Sequence, residues 1–298
     1  MTGGNHLPTS FSISVTTFPA VGFGTFQGDA GNGSVKEAVL QALRCGYRHI
    51  DTATAYGNER EVGEAIKESG IPREEIIVTT KLAQTWHRVS DVERALDLSL
   101  ERLQLNYVDL YLMHFPHAYS PGPDNNTIRH PNGKPIIDHE LSRDYPSTWA
   151  AMESLVDKGK AKMIGVSNFN ILKLERLLGS ARIPPAVNQI ELHPYLPQVE
   201  LVKFCKTNGI HVVAHQPLGG KPVAAVNPNA DRPGPLYDPD TVRQSRMVEN
   251  LDLKQLPDKD METISDLSKE KGEVRYLDPK NHIGFNIFDE RHDQPVQE

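Results

Sequence analysis

Residues 49–65 read HIDTATAYGNEREVGEA, and this stretch decides the fold. His49 to Ala53 reads as a short buried strand. EREVGEAIKES, which follows it, places apolar residues at helical spacing. Between strand and helix stand Asp51, Tyr56, Asn58 and Glu59. A plain turn needs a capping residue, which Asn58 can supply. It does not need a carboxylate at the strand end and a phenol just beyond.

The same strand-then-helix pattern repeats outward in both directions. PAVGF (19–23) is predicted as a strand. SVKEAVLQALRCG (34–46) is predicted as a helix, with Ser34 and Glu37 as a capping box and Gly46 as its stop. EIIVTTK (75–81), YVDLYLMH (107–114), KAKMIGVS, AVNQIEL and IHVVAH follow as strands. SDVERALDLSLERLQL (90–105), TWAAMESLVDKG, NILKLERLLGS and ELVKFCKTNG are helices between or after them. Seven βα-type units with continuous apolar strands imply a parallel sheet covered on both faces. Length and repeat count favour a (β/α)8 TIM-type barrel over an open doubly wound sheet, one unit short of closure. The chain is expected to be a single domain over 1–298, with an N-terminal segment (1–18), an irregular loop (115–145) and a tail (273–298). Residues 217–240 contain six prolines and no periodic run, so no eighth strand is readable there.

Composition narrows the function classes. The 298 residues carry a net charge of -7, which argues against nucleic acid as the main partner. The N-terminus lacks the pattern of a signal peptide, and no apolar run approaches the ~18 residues of a membrane span. Cys45 and Cys205 read as buried free thiols. The expectation is a cytosolic protein with no membrane and no nucleic-acid partner.

In a barrel of this kind, chemistry gathers at the C-terminal ends of the strands. Asp51, Lys81, His114, Ser167, Gln189 and His215 all fall there. A phenol with an ordinary pKa near 10 is a poor acid at neutral pH unless a cation stands beside it. Lys81 can lower that pKa, Asp51 can hold the lysine, and His114 can orient a carbonyl oxygen. Such a set protonates a carbonyl oxygen while hydride reaches its carbon. Taken singly, Tyr56 reads as packing, Lys81 as a rim lysine and His114 as a core histidine. Four such groups at three strand ends are harder to dismiss. His114 and His117 lack the further ligands of a metal site, so no metal is expected. No GxSxG elbow supports a hydrolase. VGFGTFQG departs from the dinucleotide fingerprint by one residue.

DTATAYGNE, VTTKL, DLYLMHFP, IGVSNF, VNQIELHPY, VVAHQPLGG and SRMVENLDL occur in this order over nearly the whole chain. Together they resemble the aldo-keto reductase superfamily, and within it the fungal NADP-dependent glycerol dehydrogenase and aldehyde reductase group. The resemblance implies a monomeric barrel that binds extended NADP(H) and reduces an aldehyde or ketone to an alcohol. It implies Tyr56 as proton donor, Lys81 as the group tuning it, Asp51 as the lysine's partner and His114 as the residue positioning the carbonyl. Ser167, Asn168 and Gln189 match the side chains that hold the nicotinamide carboxamide. Gly24, Thr25 and Phe26 match the first-strand loop at the cofactor, and Phe26 and Phe115 the pocket walls. His215, followed by Gln216 and Leu218, stands where the family usually stacks a tyrosine on the nicotinamide. Thr241, Arg246, Glu249 and Asn250 match the segment that holds the adenosine 2′-phosphate. Asp240 falls on the usual lysine there, and roughly one βα unit is absent between Tyr237 and Val242. The alternative reading is a catalytically weak or inactive nucleotide-binding barrel with a regulatory or assembly role.

Overall fold

A computed structural model of the chain describes residues 7–14, 16–26, 32–219, 243–284 and 286–288. Seven parallel strands form one sheet: β3 (Phe23–Gly24), β4 (His49–Asp51), β5 (Ile77–Leu82), β6 (Val108–Met113), β9 (Ala161–Ser167), β10 (Val187–Glu191) and β11 (His211–His215). They lie side by side in chain order, and every pairing between neighbours is parallel. Helices α1 (Val35–Cys45), α2 (Glu59–Ser69), α3 (Val92–Leu103), α5 (Tyr145–Asp157), α6 (Ile171–Leu178) and α7 (Val199–Thr207) cover the outer face. Their apolar sides and the outward side chains of the strands share one continuous core. Full burial of each Val, Leu or Ile there contributes about 1.5–3 kcal/mol.

The helix of the opening stretch shows why its sequence is built as it is. α2 buries Val62, Ala65 and Ile66, the apolar stripe that its periodicity predicts. Gly63 sits among them because α3 passes close by. A Cβ built at Gly63 would lie 2.3 Å from the carbonyl oxygen of Leu103.

The sheet curls. Gln189 on β10 and Asp51 on β4 are four strands apart in the ladder, yet the Gln189 Nε2 donates to Asp51 Oδ2 at 2.7 Å. Only a sheet bent into a trough brings those side chains together. The trough floor is filled by Ile77, Leu110, Leu112, Met163 and Val187, and Ile13 and Phe18 close it from below. Those two belong to an antiparallel hairpin, β1 (Ser10–Ile13) and β2 (Thr16–Pro19), which the sequence reading leaves as an undivided N-terminal segment. The expected strand over 19–23 is therefore divided: Pro19 ends the hairpin, and only Phe23–Gly24 enters the sheet.

Other expectations need correction. Ser34 occupies the N-cap of α1 but makes no side-chain capping bond, because a short 3₁₀ turn over Asn32–Ser34 leads into the helix. The loop 115–145 contains a two-stranded ladder, β7 (Ala118–Tyr119) with β8 (Ile137–Asp138), and α4 (His139–Arg143), capped by Asp138 on the Leu141 amide. The tail carries α10 (Lys280–Ile283), and Ile283 and Ile287 pack on Phe115.

Among the described residues, the outer edges of β3 and β11 pair with no further strand. β11 differs from the interior strands accordingly. Four of its five residues are half-buried and His211 is exposed, whereas β5, β6 and β10 are buried throughout. Such half-burial is what a parallel strand paired on only one edge shows. α8 (Gln244–Leu251) packs beside α1: Tyr47 Oη donates to the Met247 carbonyl at 3.1 Å, and Leu251 lies over Gly46. α9 (Asp258–Lys271) follows, with Ser268 its buried residue.

Candidate active site

The C-terminal end of the sheet holds the predicted side chains. Register explains the central contact. Thr79 lies opposite Asp51, and Lys81, two residues further along β5, points to the same side one step higher. The ammonium of Lys81 therefore reaches Asp51 Oδ1 in a short contact, and it donates to the Thr52 carbonyl at 2.9 Å. The Tyr56 hydroxyl stands 3.4 Å from the same nitrogen, and the ammonium lies 5.0 Å from the ring centroid. Lys81 is fully buried, so it is held there as a cation only by these partners.

The electrostatics depart from expectation in one respect. Burial raises the Tyr56 pKa, and Lys81, which pulls it down, only partly offsets that. The phenol is thus kept protonated rather than brought toward neutrality. For Lys81, burial pulls the pKa down, but Asp51 and Tyr56 outweigh it and the net direction is up. His114, directly after β6, lies edge-on to the Tyr56 ring with centroids 5.6 Å apart. Burial, with Lys81 and His215 adding to it, drives its pKa well below the ordinary value, so the imidazole is neutral. Its Nδ1 finds no hydrogen-bond partner among the described residues. A buried imidazole left in this state is a group that a ligand can satisfy.

Next to this set lie the amide side chains. Asn168 has a left-handed backbone, φ 64°, and its Nδ2 donates to the His114 carbonyl at 3.0 Å and to Ser167 Oγ at 3.1 Å. Ser167 Oγ donates to the Gln189 carbonyl at 2.9 Å. His215 Nε2 contacts Asn168 Oδ1 at 3.2 Å. Burial lowers the His215 pKa to about 4, leaving its ring neutral to donate that bond. Gln216 follows with φ 53°, and Leu218 is exposed beyond it.

On the opposite flank, Thr25 is buried and its amide donates to the Asp51 carbonyl at 3.0 Å. A Cβ added to Gly24 would meet no atom within 4 Å, so the chain leaves room there. Phe26 is 59% exposed and its ring lies 5.1 Å from that of Tyr56. Phe115, by contrast, is nearly buried. Its ring sits between His114 and His117, at 5.1 Å and 5.3 Å, beneath Ile283 and Ile287. Phe26 is therefore exposed beside Tyr56, and Phe115 is packed beneath the tail.

Arg246 is on α8, where its guanidinium donates to Glu249 at 3.2 Å on the surface. Asn250 lies on the same helix. Thr241, with Asp240, lies outside the described residues.

Glu191 carries a structural role that sequence reasoning did not assign, and Asn58 one other than the cap expected of it. Glu191, the buried last residue of β10, accepts from the backbone amides of Tyr276 at 2.6 Å and Leu277 at 2.7 Å, and contacts His193 Nε2 at 2.8 Å. It fastens the tail across the end of the sheet. A carboxylate two residues after Gln189 on a buried strand was the available signal. Asn58 stands at the N-cap of α2 but makes no capping bond there. Its side chain turns inward, to Thr25 and Thr52.

The sequence of residues 20–273 matches the aldo/keto reductase family. This chain belongs to the aldo/keto reductase family. Among curated relatives, the glycerol 2-dehydrogenase (NADP(+)) of Saccharomyces cerevisiae is 42% identical, over 91% of this chain and 93% of that protein. The aldehyde reductase YPR1 of the same yeast is 41% identical over 89% and 92%. Among solved structures, the aldose reductase of Giardia lamblia superposes with a TM-score of 0.78 at 33% identity, covering 90% of this chain and 97% of that one. An aldo/keto reductase of this kind uses a nicotinamide cofactor, and the residues at its sheet end suit the nicotinamide. A carboxamide offers one acceptor and two donor hydrogens, which Ser167, Asn168 and Gln189 can complement with a hydroxyl and two amides. No helix among the described residues is long and apolar enough to cross a membrane.

Proposed function

We propose that this protein reduces an aldehyde or ketone to the alcohol with NADPH, Tyr56 acting as the general acid. The observation that carries this reading is the Lys81 ammonium, buried and shared among Asp51, the Thr52 carbonyl and the Tyr56 hydroxyl. NADPH, when bound, supplies the hydride. Ser167, Asn168 and Gln189 would hold its carboxamide, with Gly24, Thr25, His215, Gln216 and Leu218 completing its site. Arg246, Glu249, Asn250 and Thr241 would serve the adenosine end, with the Arg246 guanidinium suited to the 2′-phosphate.

The carbonyl oxygen is received by His114 and Tyr56. The neutral imidazole donates a hydrogen bond to it, and the Tyr56 hydroxyl transfers its proton as charge develops on the oxygen. The phenolate so formed lies beside the Lys81 ammonium, which stabilises it in a site that excludes water. Asp51 keeps the lysine charged and in place. Phe26 lines the open side of the pocket for the rest of the substrate. The reading assigns the chain a small-molecule carbonyl partner and monomeric action.

No observation favours a catalytically silent barrel, because the four groups at the sheet end are all present and in contact. The test is NADPH oxidation with a panel of short aldehydes and ketones, alongside thermal-shift titrations with NADPH and NADH. Turnover with tighter NADPH binding supports the reading. A folded protein that binds neither nucleotide defeats it.

A further inference from the structure

Asn58 and Glu59 sit directly after the Tyr56 loop, and the reaction as described uses neither. Both are buried. Asn58 Nδ2 donates to the Thr25 carbonyl at 2.9 Å, and its Oδ1 accepts from Thr52 Oγ1 at 3.0 Å and from Thr25 Oγ1 at 3.4 Å. Glu59 accepts from Thr80 Oγ1 at 2.7 Å and from Arg102 at 3.4 Å. The pair therefore ties the loop in two directions, to β3 and β4 through Asn58 and to β5 and α3 through Glu59.

The path through Asn58 has a particular form. Lys81 donates to the carbonyl of Thr52, the hydroxyl of Thr52 donates to Asn58, and Asn58 donates to the carbonyl of Thr25. Every group on it is buried, where a broken hydrogen bond is not replaced by water. One end is the cation that faces the Tyr56 hydroxyl. The other is the loop from Gly24 to Phe26, which bounds the space assigned to the cofactor. An apolar residue at 58 would supply neither bond, and a Ser or Asp at this cap position would lack the amide that reaches Thr25.

We infer that Asn58 is a positioning residue that couples the first-strand loop to the Lys81–Tyr56 pair, fixing the acid and the cofactor space in one mutual geometry. This rests on the reading of Tyr56 as the acid and of Gly24–Phe26 as the cofactor loop.

Two nearly isosteric variants cut the path on either side. Asn58→Asp keeps the acceptor for Thr52 and replaces the amide by an oxygen facing the Thr25 carbonyl. Thr52→Val removes the hydroxyl and leaves the Asn58–Thr25 bond. For Asn58→Asp, the NADPH Kd by fluorescence titration is expected to rise about tenfold, the effect of one lost buried hydrogen bond. Hydrogen exchange at the Thr25 amide, bonded to the Asp51 carbonyl, is expected to quicken without any cofactor present. For Thr52→Val, Kd is expected to stay within about twofold. Its kcat should fall, and the alkaline limb of its pH profile should move upward as Lys81 loosens from the phenol. Thr52→Val keeps the test decisive if Asn58→Asp folds poorly. If both variants lower only the melting temperature, and leave Kd, pH profile and Thr25 exchange at wild-type values, the inference is overturned. If the wild type itself binds no NADPH, the functional reading fails, while Thr25 exchange in Asn58→Asp still decides whether Asn58 holds the loop.

Discussion

Lys81→Met perturbs the site at the point where stability and catalysis meet. The lysine side chain is fully buried and Asp51 is only 15% exposed. Removing the ammonium leaves the Asp51 carboxylate with the Gln189 amide but no countercharge. Breaking one partner of a buried pair costs about 3–5 kcal/mol. At ~2–4 °C per kcal/mol for a chain of this class, the melting temperature should drop on the order of 10 °C. Catalysis should fall separately, by about 10²–10⁴-fold, as the general acid loses the cation that stabilises its conjugate base. The pH dependence has a definite sign. Burial already raises the Tyr56 pKa and Lys81 opposes that rise. Carbonyl reduction needs the protonated phenol, so activity is lost as pH rises through its pKa. Without Lys81 the pKa climbs further and the alkaline limb moves to higher pH. The double variant Asp51→Asn with Lys81→Met removes the stranded charge, and should recover most of the melting temperature while recovering no activity. Differential scanning fluorimetry and a pH series of kcat/KM make the two measurements. An alkaline limb unmoved in Lys81→Met would refute the coupling of lysine to phenol, whatever happened to stability.

Tyr56→Phe removes only the transferable proton; reduction should fall by at least ~10²-fold with the NADPH Kd nearly unchanged, and a variant retaining half the wild-type rate would sink the assignment. His215→Phe keeps a flat ring but loses the contact with Asn168 Oδ1, so NADPH titration should show several-fold weaker binding. His87 is buried with a pKa lowered to about 3 by burial alone. Its contribution to stability is whole above its unfolded pKa near 6.5 and is lost at about 1.4 kcal/mol per pH unit as pH falls toward 3. His87→Leu should flatten the acid side of the stability curve by that slope, read from urea denaturation between pH 6 and 4.

The order of the sheet was legible in the sequence because a parallel strand buried on both faces must be a continuous apolar run, and a covering helix must show its stripe. The apolar runs within EIIVTTK, VDLYLM and KAKMIGVS (IIV, LYLM and MIGV) meet the first requirement, and EREVGEA the second. The tetrad was legible because residue types with perturbable protons recur at the strand ends, a position the alternation itself defines. Other features were not local properties. That Asn58 turns inward rather than capping α2 depends on Thr25, 33 residues away, bringing its carbonyl within reach. Glu191 acquires its role from the amides of Tyr276 and Leu277, 85 and 86 positions later. The sign of the Tyr56 shift likewise needed the tertiary structure. Sequence places a cation beside the phenol and argues for a lower pKa, but burial is decided by everything packed around the loop, and there desolvation outweighs the single charge. Chain pattern determines which groups meet at a strand end; the dielectric around them, and so the balance of their charges, exists only once the fold has excluded water.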